Sequence, residues 1–308
     1  MNVIPVSPTI SVVIPTMNEE GSIGATVQSC RTALEGIEHE IIIVDNSHDN
    51  TPTEAIRAGA KVIKQIGPAG YGAALLQGFY WTKGKYVVFF DGDGTYDPGE
   101  VSKLVEPLLK DEADLVNGNR FFNMEKNAMS LGNRIGNVLL TWIGNLLFHM
   151  SIKDSQSGMK AFRRDMLMRV TLWERDFPFA SEILAEASKV GMRLTEVGIS
   201  YRRRVGKSKL NPTVTGMKIL WASVKMLRDY DPLFLFLEIG LVLEAVGFVV
   251  VWPTLSAYVQ YGTFMYPGRA LAAVFCWLAG LLCIFTGIIL NAFNYATKKI
   301  EARLGGQQ

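Results

Sequence analysis

Two aspartates one residue apart follow an apolar run near residue 90. The run Val88-Phe89-Phe90 leads directly into Asp91, Gly92 and Asp93. In a strand, residues i and i+2 point to the same side, so the two carboxylates would lie close together and repel each other. A divalent cation with oxygen ligands would compensate this repulsion and could also bridge the phosphates of a substrate. The pair therefore predicts a metal site, although one such pair taken alone is weak evidence.

Further polar side chains follow two earlier apolar runs. Pro15, Asn18 and Glu19 come after the first run, and Asp45 comes directly after the second. In open α/β sheets, ligands bind at the carboxyl ends of the strands. These positions predict a polar crevice for a nucleotide, with Glu19 or Asp45 near the base or ribose. Each residue by itself could equally be a helix cap or a turn residue, and it is their conjunction that favours a site.

A glycine-rich loop, GPAGYG, lies between the second and third of these polar clusters. It contains Gly70 and Gly72, but it has neither the Gly-Lys-Ser/Thr of a P-loop nor the G-x-G-x-x-G spacing of a dinucleotide fold. The loop either lets the backbone approach a ligand closely or serves as a simple turn.

The elements that must position these residues alternate along the chain. Short apolar, β-branched runs are separated by segments with helical patterns, which indicates βαβ units and a mainly parallel sheet. The runs are almost continuously apolar, as expected when helices cover both faces of the sheet. The predicted strands are Ile10–Ile14, Glu40–Val44, Lys61–Lys64, Tyr86–Phe90 and Asp114–Asn117. We therefore expect an α/β domain that extends to about residue 210.

The segment 133–150 has a different pattern. Its polar residues recur every fourth position, and nearly everything between them is apolar. So narrow a polar stripe is typical of a helix at a membrane surface or in a deep groove, while an ordinary buried core helix is the alternative. A transmembrane helix is disfavoured because amides and an imidazole would enter hydrocarbon. The polar positions are Asn133, Asn137, Thr141, Asn145 and His149.

Two long apolar runs near the end of the chain, Leu233–Val251 and Ala270–Leu290, are long enough to cross a hydrocarbon core of about 30 Å. Lysines and arginines precede the first run and follow the second, whereas the connector 252–269 has one basic residue. The positive-inside rule therefore places both termini and the α/β domain in the cytoplasm. We expect a juxtamembrane amphipathic helix at 211–232, two transmembrane helices, and a cytoplasmic tail at 293–308.

Composition is consistent with such a membrane-anchored domain. The 308 residues are 49% hydrophobic and 19% charged, with a net charge of +2, and the apolar excess lies after residue 230. The three cysteines, Cys30, Cys276 and Cys283, have no metal-binding spacing and cannot form a disulfide framework. The amino terminus lacks the pattern of a signal peptide. No nucleic-acid partner is expected.

Eight short motifs occur in an order that resembles a known family. They read PTMNEE, VDNSHDNT, GYGAA, DGDGTYDP, GNR, DSQSGMKAFRR, SEI and RRRVGKSKL, and they cover roughly residues 10 to 210. The order resembles family-2 glycosyltransferases of the GT-A fold. More narrowly, it is similar to the polyprenyl- and dolichyl-phosphate sugar synthases, a subgroup that includes dolichol-phosphate mannose synthases.

The resemblance implies roles for individual residues. Asp91 and Asp93 would bind Mg²⁺ or Mn²⁺ on the donor diphosphate, and Asp154 and Gly158 would line the acceptor side near Glu182. The implied catalytic residues are Asp91, Asp93, Asp154 and Arg120. The implied nucleotide-binding residues are Pro15, Asn18, Glu19, Asp45, Gly70, Gly72 and Asp91. The implied acceptor-phosphate contacts are Arg120, Ser157, Arg202, Arg204 and Lys207.

Two positions depart from the family pattern. The second motif usually has paired aspartates, whereas VDNS has one fewer, so its register is uncertain by one residue. A glutamine often follows the Asp-x-Asp motif and completes the metal ligands, whereas this chain has Thr95 there. Thr95 is therefore a tentative third ligand, and metal affinity or preference is expected to differ.

The implied reaction is the inverting, metal-dependent transfer of one hexose from GDP-mannose or a UDP-sugar to a dolichyl or polyprenyl phosphate. Such a lipid would feed lipid-linked glycan or protein glycosylation pathways. The residues agree with it: a phosphate acceptor is already anionic and needs no general base, but it needs a cationic cradle, for which RRRVGKSK is suited. The alternative for this basic segment is binding of anionic lipid headgroups.

Other functions stay open. A processive synthase would share the nucleotide motifs, although its usual acceptor motif is not visible here. A transferase with a soluble or protein acceptor would use the hairpin as an anchor only, and a non-catalytic scaffold with a relic fold is a further alternative. The bilayer is an expected partner in each case, and the transmembrane helices could form a homo-oligomer.

Overall fold

The computed structural model describes residues 9–67, 69–176, 178–203, the single positions 217, 221, 224 and 228, and 232–305, with side chains as far as 296. The chain divides into two compact units, residues 1–223 and 224–308. The first is an α/β domain, and the second contains two long helices.

The α/β unit confirms the predicted fold class. Within the described residues its sheet has seven strands in the order β3-β2-β1-β4-β6-β5-β7. β6 is antiparallel to both its neighbours, and the other pairs are parallel. The strands are β1 Ile10–Thr16, β2 His39–Asp45, β3 Lys61–Lys64, β4 Tyr86–Phe89, β5 Leu115–Met124, β6 Lys160–Arg163 and β7 Leu194–Tyr201.

Six helices of this unit are described in full. They are α1 Glu20–Ala33, α2 Thr51–Arg57, α3 Tyr71–Tyr80, α4 Val101–Leu109, α5 Leu131–Phe148 and α6 Phe179–Lys189. Consecutive residues of β1 enter different apolar clusters: Val12 packs in the cluster that includes residues of α1 and α4, and Val13 in the cluster that includes residues of α3 and α6. Both faces of the sheet are thus covered, which is why its strands read as continuous apolar runs.

The order of the strands brings the predicted polar clusters to one edge. β1, β2 and β4 run parallel and end at Thr16, Asp45 and Phe89. We call this side of the sheet the carboxyl edge. Because β6 runs the other way and begins at Lys160, the loop 154–159 that precedes it also lies at the carboxyl edge.

Helix α5 turns its polar stripe toward the protein. Thr141 hydrogen-bonds to the hydroxyl of Ser155 at 2.9 Å, and the amide of Asn145 donates to the carbonyl of Ile152 at 2.7 Å. Thr141 is the one buried residue of this fully described helix, so the alternative of a buried core helix is wrong. The exposed apolar residues are Leu131, Ile135, Val138, Leu139, Trp142 and Leu146.

The second unit contains α7, Pro232–Tyr261, and α8, Pro267–Gly305. Both helices are long and apolar enough to cross a membrane. The connector is shorter than the predicted 252–269, because Pro253 lies inside α7 instead of ending it. A proline is tolerated in such a helix when neighbouring helices and polar groups satisfy the freed backbone carbonyl.

Glycines bring α7 and α8 close together. A Cβ atom at Gly240 would lie 2.9 Å from the carbonyl oxygen of Gly280, and one at Gly280 would lie 2.8 Å from Oε1 of Glu244. Small residues at such crossings let helix backbones approach closely, as is common in membrane proteins. The indole of Trp277 donates to the carbonyl of Glu244 at 3.3 Å across the same contact.

Candidate active site

Asp45 is held at the end of β2 by its neighbours. The hydroxyl of Thr16 donates to its Oδ1 at 2.7 Å, and Ser47 donates both its hydroxyl, at 2.5 Å, and its backbone N–H, at 3.1 Å. The carboxyl group is almost entirely buried. The three donors fix the orientation of this side chain, so Asp45 is a rigidly placed polar group at the carboxyl edge.

Asn18 joins the loops that follow β1 and β2. Its backbone N–H donates to the hydroxyl of Ser47 at 2.7 Å, and its side-chain oxygen accepts the N–H of His48 at 2.9 Å. Its φ of 55° is left-handed, a conformation that asparagine tolerates better than most residues. Pro15 and Glu19 flank this junction and are partly exposed, so the structure brings together four of the seven residues predicted for the nucleotide.

Asp93 is oriented by Thr95. Its Oδ1 accepts the hydroxyl of Thr95 at 2.6 Å and the backbone N–H of Thr95 at 3.1 Å. Thr95 itself is buried. Its hydroxyl proton is therefore directed at Asp93, which makes Thr95 a positioning residue here, while its role as a metal ligand stays a prediction.

Asp91 lies against the loop 154–159. A Cβ atom at Gly158 would approach Oδ2 of Asp91 to 2.8 Å, so only glycine leaves room for the carboxylate. The hydroxyl of Tyr71 hydrogen-bonds to Asp91. Burial, followed by the negative charge of Asp91, raises the pKa of Tyr71 well above its usual value and keeps this hydroxyl protonated as a donor.

The two aspartates fit a metal ion that is shared with a substrate. Among the described residues, no group of three or more histidine, cysteine, aspartate or glutamate side chains is placed to hold a metal on its own. Magnesium is typically bound by one or two carboxylates together with substrate phosphates and water. Asp91 and Asp93 match the protein's part of that ligand set, and their role as metal ligands stays a prediction.

Arg120 and Asp154 form a buried, two-pronged ion pair. Nε and Nη2 of Arg120 each donate to an oxygen of Asp154 at 2.7 Å, and the backbone N–H of Arg120 donates to the same carboxylate at 3.0 Å. Arg120 is only 7% exposed. The guanidinium group that sequence analysis assigned to the acceptor phosphate is thus largely occupied by Asp154, and its phosphate contact stays a prediction.

Two further residues hold the loop that carries Asp154. Glu196 on β7 accepts the backbone N–H groups of Lys153, at 2.8 Å, and Asp154, at 3.1 Å. Lys160 is fully buried, and its ammonium group donates to the carbonyls of Ser155 and Ser157. Burial lowers the pKa of Lys160 to about 7, against the opposing effect of Asp154.

Sequence reasoning missed both of these residues. Lys160 stands in the motif DSQSGMKAFRR, and a lysine at the start of a short apolar strand was the available signal. Glu196 had no local signal, because the contact joins residues 42 positions apart.

Three other predicted site residues have structural partners. The hydroxyl of Ser157 is buried and accepts the N–H of Met159 at 3.3 Å. A Cβ atom at Gly70 or Gly72 would collide with the backbone of residues 174–175, at 2.5 Å in the case of Gly72. The glycine loop is therefore shaped by this packing, and its contact with a nucleotide stays a prediction.

Arg202 is bound to the loop that follows the aspartates. Its guanidinium group pairs with Asp97 at 2.5 Å, and its backbone N–H donates to the carbonyl of Thr95 at 2.8 Å. The pair is accessible, since 58% of the Arg202 side chain is exposed. Arg204 and Lys207, the other predicted phosphate contacts, lie outside the described residues.

Comparison with known proteins identifies the family of the chain. The family described as Glycosyl transferase family 2 matches residues 11–171. A protein named Dolichyl-phosphate hexose transferase from Haloferax volcanii is 33% identical over 217 residues, which cover 70% of this chain and 93% of that protein. The low-salt glycan biosynthesis hexosyltransferase Agl6 of the same organism is 33% identical over 254 residues, which cover 80% of this chain but 60% of that protein.

A eukaryotic relative and a solved structure extend the comparison. The dolichyl-phosphate beta-glucosyltransferase of Saccharomyces cerevisiae is 30% identical over 251 residues, 71% of this chain and 72% of that protein. The glucosyl-3-phosphoglycerate synthase of Mycobacterium tuberculosis, solved with Mn²⁺ and UDP, has a TM-score of 0.57 at 24% identity and covers 70% of this chain and 78% of its own. That structure shares the fold. The chain therefore belongs to glycosyltransferase family 2 and is a glycosyltransferase with a GT-A fold.

Proposed function

We propose that this glycosyltransferase moves one hexose from a nucleotide sugar to a dolichyl or polyprenyl phosphate at a membrane. The observation that carries the proposal is the placement of Asp91, from the Asp-x-Asp pair, against the loop 154–159 in a chain that also has two helices long enough to cross a bilayer. The names of the Haloferax and yeast relatives, which specify dolichyl phosphate, support the same acceptor.

The donor would lie at the carboxyl edge. Pro15, Asn18, Glu19 and Asp45 would surround the nucleoside, and Asp91 and Asp93 would hold Mn²⁺ or Mg²⁺ for the diphosphate. When bound, the ion neutralises the charge of the leaving phosphates as a Lewis acid. Thr95 keeps the Asp93 carboxylate oriented through two hydrogen bonds. Gly70 and Gly72 complete the donor side.

The acceptor oxygen attacks without a general base, because a lipid phosphate is already ionised at neutral pH. An attack from the face of the sugar opposite the diphosphate inverts the anomeric centre. The charge of the acceptor phosphate is neutralised by Arg202, Arg204 and Lys207. Arg120, which was also predicted to contact this phosphate, has a structural role as well. By fixing Asp154, Arg120 shapes the loop 154–159, which carries Ser157 and lies next to Asp91.

Several surfaces of the protein suit contact with a membrane. Helix α5 exposes apolar side chains, carries no acidic residue and turns its polar stripe inward, so its outer face suits the interface of a bilayer. The described positions Met217 and Trp221 are also exposed and apolar. We propose that these faces lie on the cytoplasmic leaflet, that both termini are cytoplasmic, and that 233–251 and 270–290 are the spans.

A donor and acceptor screen tests the proposal. The purified protein is incubated with Mn²⁺ and either GDP-mannose, UDP-glucose or another UDP-hexose, in the presence of dolichyl phosphate, undecaprenyl phosphate, a soluble sugar or no acceptor. Mass spectrometry should detect a hexosyl lipid phosphate from one class of donor. Equal transfer to the soluble sugar would instead indicate a simple membrane anchor.

The second part of this experiment tests the metal assignment. Asp93→Ala should abolish transfer while the thermal unfolding midpoint stays near that of the wild type, because Asp93 lies at the surface of the crevice. Full activity in the presence of a chelator would contradict the metal assignment but not the acceptor.

A further inference from the structure

Tyr71 is the first residue of α3 and lies within the glycine loop. Its hydroxyl hydrogen-bonds to the carboxylate of Asp91 and lies 3.5 Å from the carbonyl oxygen of Gly158. It thus contacts a predicted metal ligand and, at the limit of hydrogen-bonding distance, the loop that carries Asp154. Neither the Asp-x-Asp motif nor the acceptor motif contains this residue.

The surroundings of Tyr71 keep it in place. The glycines on either side of it, Gly70 and Gly72, pack against the backbone of residues 174–175, and the N–H of Ala73 donates to the carbonyl of Arg175 at 3.0 Å. The carboxylate of Glu182 in turn accepts the backbone N–H groups of Trp173, at 2.9 Å, and Glu174, at 3.0 Å. The start of α3 therefore packs against residues 173–175, a segment that is itself fixed by hydrogen bonds to Glu182.

A second tyrosine holds the other side of Gly158. The hydroxyl of Tyr96 accepts the backbone N–H of Gly158 at 2.7 Å, and Tyr96 is buried. The Gly158 peptide thus lies between two phenol groups, with Asp91 close against its Cα atom. Tyr71 is the one of the two for which the structure shows a hydrogen bond to Asp91.

We propose that Tyr71 is a positioning residue of the metal site: its hydroxyl donates to the Asp91 carboxylate, which packs against Gly158, and orients that carboxylate toward the cation. This inference rests on the proposed function, in which Asp91 and Asp93 bind the ion. A ligating carboxylate is usually fixed by an outer hydrogen bond, and loss of such a partner typically weakens metal binding about 10- to 100-fold.

The test compares two tyrosine-to-phenylalanine variants of the same helix. Tyr71→Phe removes the hydroxyl and keeps the ring, whereas Tyr80→Phe does the same at an 84% exposed position and is the matched control. Mn²⁺ binding to the full chain in detergent is followed by electron paramagnetic resonance, with Mn²⁺ alone, with UDP and with GDP. We expect Tyr71→Phe to weaken Mn²⁺ binding about tenfold or more and Tyr80→Phe to leave it unchanged.

A kinetic arm separates positioning from general damage. For Tyr71→Phe, the Mn²⁺ concentration that gives half-maximal transfer should rise in proportion to the loss of affinity, while kcat at saturating Mn²⁺ stays close to that of the wild type. The unfolding midpoint of Tyr71→Phe should fall by no more than a few degrees, since the variant keeps its ring and loses one hydrogen bond, and that of Tyr80→Phe should equal that of the wild type. A fall in kcat with unchanged Mn²⁺ affinity would overturn the inference.

Asp93→Ala distinguishes failure of the inference from failure of the proposed function. If Asp93→Ala loses Mn²⁺ binding and Tyr71→Phe does not, the metal site stands and the role of Tyr71 is wrong. If Asp93→Ala also binds Mn²⁺ as the wild type does, the proposed metal site is wrong and the role of Tyr71 falls with it.

Discussion

The two ends of the sheet hold the same pair of chemical groups in opposite surroundings. On the carboxyl side, Arg120 grips Asp154 with two hydrogen bonds, and both side chains are buried. At the other end, Arg193 grips Asp114 with two hydrogen bonds and also reaches Asp111. There, 49% of the Arg193 side chain, 69% of the Asp111 side chain and 19% of the Asp114 side chain are exposed.

The two pairs differ in their exposure to solvent and not in their hydrogen-bond geometry. Water and salt screen the exposed group, and its charges lose little when they are separated. The buried group has lost its hydration, so each charge depends on the other. Similar side chains thus stabilise a turn at one end of the sheet and organise a reactive crevice at the other.

The largest expected effect comes from breaking the buried pair. Arg120→Met leaves the carboxylate of Asp154 buried without its partner, so we expect a loss of about 3–5 kcal/mol in the free energy of unfolding and a loss of transfer activity. Denaturation of the detergent-solubilised protein and an activity assay measure the two effects.

A double variant sharpens this prediction. Arg120→Met combined with Asp154→Leu removes both charges, so stability should recover substantially while activity does not return. Recovered activity would show that the pair only stabilises the fold.

Lys160 provides a pH-dependent effect. Its pKa is lowered to about 7, first by burial, whereas the unfolded chain keeps the proton to about pH 10.4. Between these values the unfolded state binds more protons, so the contribution of Lys160 to stability rises with pH and is lost as pH falls through about 7.

Unfolding midpoints at pH 7 and pH 9 measure this contribution. The wild type should gain stability at pH 9 by an amount that Lys160→Met lacks. Equal changes in the two proteins would mean that Lys160 is not buried as a titrating amine.

A smaller effect is expected from the exposed pair at the carboxyl side. Arg202 pairs with Asp97 and is accessible, so Arg202→Ala should raise the KM for the lipid phosphate about tenfold, the effect of one charged hydrogen bond, with little change in kcat. Asp97→Asn frees the same guanidinium group and should lower that KM. An unchanged KM in Arg202→Ala would remove Arg202 from the acceptor site.

The smallest effect is expected at the far end of the sheet. Arg193→Ala breaks only exposed contacts, so transfer activity should equal that of the wild type and the unfolding midpoint should shift by a few degrees at most. A loss of activity comparable with that of Arg120→Met would contradict the contrast between the two ends.

Much of the fold could be predicted because its signals are local. Strands of four to ten residues and their alternation with helices indicate a mainly parallel sheet, and a strand that ends just before Asp91 and Asp93 must place both near its carboxyl end. The apolar runs of the hairpin are equally local. The length of the connector between the two helices could not be predicted from local signals, because it depended on whether Pro253 could be accommodated inside α7.

The amino-acid sequence by itself determined the family, the α/β domain and the two long apolar helices, because each follows from short motifs or from periodicity. Only the tertiary structure decided which partners these residues have. The antiparallel strand β6 lies between β4 and β5 and brings the loop 154–159 against Asp91. The same arrangement allows Arg120 to pair with Asp154, 34 residues away. Burial then decides which of these charges can be separated without cost, because desolvation depends on every chain segment that packs around a group.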